Sequence, residues 1–258
     1  MSSTPTPLGI DIGGSGIKGA PVDLDKGAFA ADRVRIETPG SSTPKAVAKV
    51  VKEIFGEFEH MCGDAPVGVT VPAVVTHGIV RSAANIDKGW VGTDAAALLS
   101  DAIGREVVVL NDADAAGIGE LRFGAAKDAE GTVIVATLGT GIGSAVIVNG
   151  ILVPNTELGH LEIDGHDAEK RASSAAREAE DLSWEKWAKR LQRYFSHVED
   201  LFWPDLFVVG GGVSKKADKY LPLLKLRTPI IPAKLRNDAG IIGAASQAWA
   251  VKQGKASR

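Results

Sequence analysis

The stretch Leu8-Gly9-Ile10-Asp11-Ile12-Gly13-Gly14-Ser15-Gly16-Ile17-Lys18 decides the fold. An apolar run carrying one carboxylate, Asp11, leads into three glycines and a serine, and residues 17–22 resume an extended pattern. Strand, glycine turn, strand is the economical reading. A turn without Cβ atoms lets backbone N–H groups come close to a ligand, and such a nest is an anion site. Asp11 at the strand end can hold Mg²⁺ directly or through water, and Lys18 can place a point charge on a phosphate. Gly14, Gly16 and Gly19 match G-x-G-x-x-G, but a dinucleotide site needs a helix straight afterwards, and Pro21 with its β-type neighbours argues against one. No Gly-Lys-Ser/Thr follows, so the Walker pattern fails as well. From this stretch alone, an ordinary hairpin turn stays open as the alternative.

The chain of 258 residues has room for one large domain or two α/β halves. It is 45% hydrophobic and 24% charged, an ordinary globular balance. Its single cysteine, Cys62, excludes an internal disulfide and a cysteine-based zinc site, which suits a reducing cytosol. Residues 1–7 are Ser/Thr/Pro-rich with no apolar core and read as a frayed tail, not a signal peptide. No apolar stretch reaches membrane-spanning length, so no membrane partner is expected. The net charge of −3 is uneven: residues 206–258 hold ten lysines and arginines against Asp218 and Asp238, a net +8, which leaves −11 on the first 205. A basic quarter can bind a polyanion or be a solvated surface.

Outward from the opening hairpin, residues 28–37 read as a third strand of a meander. Thr43 and Pro44 read as the N-cap and first position of a helix whose apolar face is Val47, Val50, Val51, Ile54, Phe55 and Phe58. Residues 66–71 form a buried strand. A hairpin turns at His77-Gly78, with His77 a turn residue, and a polar loop covers residues 85–90. Thr93 is expected to cap a short helix ending at Ile103. Residues 106–110, β-branched and apolar, read as a central strand that delivers Asn111-Asp112 to its carboxyl end, where ligands sit in open α/β sheets. An Ala-rich helix to about Phe123 follows. Residues 166–180 read as helical. Residues 183–204 read as an amphipathic helix whose tryptophans belong to the core, residues 206–209 as a strand, and residues 239–251 as a closing helix.

The organisation of the opening stretch recurs. Residues 133–136 form a strand, Leu138-Gly139-Thr140-Gly141-Ile142-Gly143-Ser144 a glycine-rich turn, and residues 145–148 a second strand ending at Asn149-Gly150. Two such hairpins imply two related halves, and two N–H-lined turns can grip a phosphate chain from both sides. Further on, Glu157 and His160 flank Gly159, and such groups suit bidentate hydrogen bonding to vicinal hydroxyls. The Gly210-Gly211-Gly212 triplet after a strand permits close approach of a nucleotide base or sugar.

Five motifs thus stand in order: Asp11-Ile12-Gly13-Gly14-Ser15-Gly16-Ile17-Lys18, Asn111-Asp112, Leu138-Gly139-Thr140-Gly141-Ile142-Gly143, Glu157-Leu158-Gly159-His160 and Gly210-Gly211-Gly212-Val213-Ser214. Together they resemble the ROK family of sugar kinases, in the actin-like ATPase superfamily. Within it, Thr76-His77-Gly78 and Trp203-Pro204-Asp205-Leu206-Phe207 are similar to the polyphosphate/ATP-glucokinase branch. The resemblance implies an α/β, actin-like (ribonuclease H-like) fold of two α/β domains around a central cleft. The expected domains are residues 1–110, joined by the helix of 239–258, and residues 111–238. It implies transfer of a phosphoryl group from polyphosphate and/or ATP to the 6-hydroxyl of glucose, in the cytoplasm.

By the same resemblance Asp112 is the general base. Asn111, Glu157, His160 and Glu169 hold glucose, with Glu162 the weaker choice for the last role. Asp11 positions Mg²⁺. Gly13, Gly14, Ser15, Lys18, Thr140 and Gly141 cradle phosphates, while Gly211 and Gly212 meet adenosine. Lys215, Lys216 and Lys219 become the track for polyphosphate. Family members with a zinc site carry cysteines after the His160 position; this chain lacks them, so no structural zinc is expected. Ala73 stands where the family often has Gly. Only seven residues precede Leu8, so no DNA-binding segment is expected. Relatives include homodimers and monomers. Alternatives are an ATP-only kinase of mannose or an amino sugar, and a non-catalytic sugar sensor on the same fold.

Overall fold

The computed structural model describes residues 6–84 and 86–256; the expectations for residues 1–5, Asn85 and Arg258 fall outside that range. The chain divides into two compact units, Met1–Gly119 with Asp238–Arg258, and Glu120–Asn237.

The first unit begins with β1 (Leu8–Ile12) and β2 (Ile17–Asp23), antiparallel neighbours in which Asp11 faces Lys18. β3 (Ala28–Phe29) and β4 (Val34–Ile36) both pair with β2. The expected single third strand is therefore two pieces. Pro21 has no N–H to offer the ladder, although its carbonyl still accepts from the Ala30 amide at 2.8 Å. Helix α1 (Pro44–Cys62) buries all six residues of its expected apolar face. Thr43 stands at the N-cap, but its side chain makes no capping bond; Pro44, at the first helical position, brings no N–H that would need a partner.

β5 (Val67–Val71) runs parallel to β1, and the β6 (Val75–Thr76) and β7 (Ile79–Val80) hairpin turns through left-handed His77 and Gly78. Helix α2 (Ala95–Ile103) is capped by Asp94, whose carboxylate accepts from the Ala97 amide at 2.9 Å, and not by Thr93. A carboxylate answers the positive helix end better than a hydroxyl, and the Thr93 hydroxyl is spent on the Gly89 carbonyl at 2.8 Å. β8 (Val107–Asn111) closes the strand order β3-β2-β1-β5-β8. It is thus an edge strand, contrary to the central place expected. Its apolar character comes from helices on both faces, α2 and the closing helix Ala239–Lys252.

Helix α3 (Asp112–Phe123) starts directly at the end of β8. The division between units falls inside it, after Gly119, nine residues beyond the boundary expected at 110/111. The reason is packing. A Cβ on Gly243 would strike the Ala115 carbonyl, and one on Gly119 the Ala239 carbonyl, so the first turns of α3 lie hard against the closing helix. Gly9 and Gly68 make the same allowance on the sheet, since side chains there would meet the backbone of Ile241 and Ala244. The closing helix is accordingly buried nearly all round.

The second unit holds β9 (Thr132–Leu138) and β10 (Ile142–Val148), an antiparallel pair like β1 and β2, followed by β11 (Ile151–Val153). A small hairpin, β12 (Glu162–Ile163) with β13 (His166–Asp167), precedes helices α4 (Glu169–Ala172), α5 (Ser174–Ala179) and α6 (Trp184–Phe202). Residues 166–180 are therefore not one helix. Left-handed Asp164 and Gly165 make a hairpin turn, and Ser173 goes extended to cap Ala176 with its hydroxyl. β14 (Leu206–Gly210) and β15 (Ile230–Pro232) complete the order β11-β10-β9-β14-β15. Trp187 is fully buried, as expected, but Trp203 is 69% exposed beneath the Arg227 guanidinium. It ends α6 in a left-handed conformation, which turns its ring away from the apolar stripe. Among the described residues, no helix is long and apolar enough to cross a membrane.

Candidate active site

In the first unit, register alone brings Asp11 between Lys18 on β2 and Thr70 on β5. The fully buried Thr70 donates its hydroxyl to Asp11 Oδ1 at 2.8 Å, and Lys18 Nζ lies 3.9 Å from Oδ2. The turn between β1 and β2 closes through the Gly13 amide and the Gly16 carbonyl at 3.2 Å. Gly14 and Ser15 are exposed, and a Cβ at Gly14 would meet nothing within 4 Å, so a ligand can approach the backbone of these two residues. Two residues that the sequence reading passed over brace it from behind: Arg35 donates to the Ser15 carbonyl at 2.7 Å, and Thr38 to the Gly13 carbonyl. Strand alternation could have flagged Arg35, which stands between Val34 and Ile36. Thr70 had no signal short of the pairing register.

Asn111 and Asp112 sit where β8 becomes α3. The buried Asn111 spends its side chain on the backbone: Oδ1 accepts from the Ala113 and Asp114 amides at 2.8 and 3.1 Å, and Nδ2 donates to the Ala73 carbonyl at 3.1 Å. Asn111 thus behaves as the N-cap of α3, with Asp112 Oδ1 also accepting from Ala113 at 2.9 Å. Asp112 is placed rigidly at the positive end of a helix. Asp11 lies close by, because a Cβ on Gly240 would stand 3.8 Å from Asp11 Oδ1 and 4.0 Å from the Asp112 carbonyl oxygen.

In the second unit the turn between β9 and β10 is closed by the Gly139 amide on the Gly141 carbonyl at 3.0 Å, with Thr140 exposed at its tip. Glu157 precedes a single 3₁₀ turn, Leu158–His160, and His160 is its last residue. That turn is pinned to β10 by the Leu158 amide on Ser144 Oγ at 2.9 Å, and by Gly159, where a Cβ would strike the Ile142 carbonyl. His160 Nδ1 lies 3.1 Å from Asp167 Oδ2 and 3.9 Å from Glu169 Oε1. Glu169 Oε2 accepts from the Ile142 amide at 3.1 Å, so the acid also touches the glycine turn. Glu162 is exposed on β12.

The bond to Asp167 raises the His160 pKa above the ordinary imidazole value, with Glu169 and Glu157 adding to it and desolvation opposing. Desolvation raises that of Glu157, against the pull of His160 and with Glu169 adding to the rise. Ligand atoms of His160, Asp167 and Glu169 all lie within 4.8 Å of one another, a grouping of the kind that is common without a metal ion. The sequence reading missed Asp167; a two-residue strand after a tight turn leaves little pattern.

Gly211, at φ +83°, follows β14 where a Cβ would strike the Leu138 backbone, and Gly212 is exposed beside it. Lys215, Lys216 and Lys219 are exposed on the 3₁₀ segment Gly212–Lys219, with Lys219 Nζ 5.8 Å from the Trp184 ring centroid.

Paired glycine hairpins, a carboxylate at a strand-to-helix junction and a Glu–Gly–His turn define a sugar kinase of the actin-like fold. The model of the ROK family matches residues 7–174, and the chain belongs to that family. It is 54% identical over 239 residues to the polyphosphate glucokinase of Mycobacterium tuberculosis, covering 92% of this chain and 89% of that one. It is also 57% identical to the inorganic polyphosphate/ATP-glucomannokinase from Arthrobacter sp. strain KM, whose crystal structure superposes with a TM-score of 0.92 over 96% of this chain and 100% of that one. The ROK family glucokinase from Streptomyces griseus, solved with glucose and AMPPNP, is similar in fold, with a TM-score of 0.79 at 23% identity over 93% and 98% of the two chains.

Proposed function

We propose that this chain is a glucokinase that transfers a phosphoryl group from inorganic polyphosphate or ATP to the 6-hydroxyl of glucose. The observation that carries the reading is 54% identity, over 92% of the chain, to a polyphosphate glucokinase. The residues present fit the chemistry. Asp112 takes the proton of the 6-hydroxyl as its oxygen attacks the terminal phosphorus, and the bond from that phosphorus to the leaving phosphate oxygen breaks. Glu157, His160 and Glu169 hold the sugar hydroxyls. Asn111 joins them at the sugar, and its backbone bonds also fix the start of α3 and hence Asp112. In the first unit the turn of Gly13, Gly14 and Ser15, with Lys18, is offered to phosphate, in the second unit the turn of Thr140 and Gly141, and Gly211 and Gly212 leave room for adenosine.

Asp11 fits Mg²⁺: one carboxylate oxygen is fixed by Thr70 and the other stays partly exposed beside Lys18, which suits an ion that takes one or two carboxylates and keeps its remaining positions for water and phosphate. When bound, Mg²⁺ neutralises charge on the transferring phosphates. Lys215, Lys216 and Lys219 extend the donor site for a long polyanion. A chain with one cysteine and these substrates suits the cytoplasm.

The test is glucose 6-phosphate formation with Mg²⁺, running polyphosphate and ATP as sole donors side by side. Turnover with both is expected, and no turnover with either overturns the reading. Mannose belongs in the same assay as a second acceptor, because a relative at 57% identity is named a glucomannokinase.

A further inference from the structure

Asp167 has both carboxylate oxygens occupied. Oδ2 faces His160 Nδ1 at 3.1 Å, and Oδ1 accepts the Glu169 amide at 3.2 Å. It is held at that point by the β12–β13 hairpin, where it pairs with Glu162, and its side chain is only 26% exposed. One carboxylate therefore ties the ring of His160 to the backbone that launches Glu169, and Glu169 in turn holds the Ile142 amide. We propose that Asp167 is a positioning residue for the acceptor sugar, keeping the His160 proton on Nδ1 so that Nε2, across the ring, is the atom offered to a sugar hydroxyl. This deepens the glucokinase reading and rests on it for the identity of the sugar.

The chemistry requires an acid here. Both partners of Asp167 are N–H donors, and a carboxylate can accept from both. The isosteric amide has one oxygen and one NH₂. If its oxygen keeps the Glu169 amide, its NH₂ faces Nδ1 and drives the ring to the other tautomer. If its oxygen keeps the ring, two N–H groups collide at Glu169. The charged groups that face His160 are Asp167 on β13, Glu169 on α4 and Glu157 before the 3₁₀ turn; all are acidic and favour the charged ring. Removing the closest of them lowers the His160 pKa, so the ring charges only at a lower pH than before.

The experiment is Asp167→Asn in the full chain, read by steady-state kinetics with glucose and polyphosphate and by long-range ¹H–¹⁵N NMR of the imidazole across a pH titration. The KM for glucose is expected to rise about tenfold or more, the scale of one lost bond to a charged group, with the KM for polyphosphate changed less than about twofold. NMR is expected to show the neutral His160 ring protonated on Nδ1 in the parent, a different tautomer mixture in the variant, and a lower titration midpoint. An unchanged glucose KM with an unchanged titration overturns the proposal. So does an equal rise in both KM values together with a lowered melting temperature, because that is general damage. If the parent chain itself fails to phosphorylate glucose, the glucokinase reading falls, while the NMR comparison still decides whether Asp167 sets the His160 proton.

Discussion

The Glu169 carboxylate stands in the space that a side chain on Gly141 would need, with its Oε2 accepting from the Ile142 amide at 3.1 Å. A residue assigned to the sugar is thus packed against the turn assigned to the donor. Gly141→Ala should push the end of a flexible side chain aside without breaking the fold. The expected result is a fall of about tenfold or more in kcat/KM for glucose, the scale of a lost bond to a charged acceptor, with the melting temperature nearly unchanged. Full activity in this variant would separate Glu169 from the reaction.

Asp112 sits at the first position of α3 beside an asparagine committed to the backbone. Asp112→Ala should lose about 10²–10⁴-fold in turnover with either donor, as loss of a general base does, while isothermal titration still detects glucose. Turnover near normal would remove Asp112 from the mechanism.

Thr70 holds one oxygen of Asp11 from a fully buried position. Thr70→Val keeps the volume and deletes the donor. The Mg²⁺ concentration for half-maximal rate should rise about 10-fold or more, the usual effect of freeing a metal-binding carboxylate. A Mg²⁺ titration at saturating glucose and donor measures it. An unchanged requirement would mean that Asp11 does not meet the ion.

Lys215, Lys216 and Lys219 are exposed together after Gly211 and Gly212. Replacing all three with alanine should raise the KM for long polyphosphate several-fold and flatten its dependence on salt, since exposed charges act over a Debye length of about 8 Å at physiological ionic strength. The KM for ATP should move less. Equal behaviour of parent and variant toward polyphosphate would leave these lysines a plain solvated surface.

The two glycine hairpins were legible because strand, turn and strand each leave a short-range mark: apolar runs, clustered glycines and a resumed extended pattern. Asn111-Asp112 was legible as a polar pair closing an apolar run. The hydrophobic face of α1 followed from helical spacing alone. Where local signals competed, the reading slipped. Thr93 and Asp94 are both capping residues, and only the bonds they make, to Gly89 and Ala97, separate them. The same holds for residues 166–180, where an Ala-rich composition concealed a two-residue strand and a break at Ser173.

By itself, the sequence determined the order of elements, the glycine turns and the residue types able to bind phosphate, sugar and a proton, because these depend on neighbours a few positions apart. Only the tertiary structure decided that Thr70 orients Asp11, that Asn111 serves the helix start, that Asp167 joins His160 to Glu169, and that the first turns of α3 stay with the first unit. All but the second rest on strand register or close backbone approach between segments distant in sequence or joined by a tight turn, and such contacts leave no period in the chain; Asn111 bonds amides two and three residues ahead, a choice between adjacent polar residues that only the bonds made reveal.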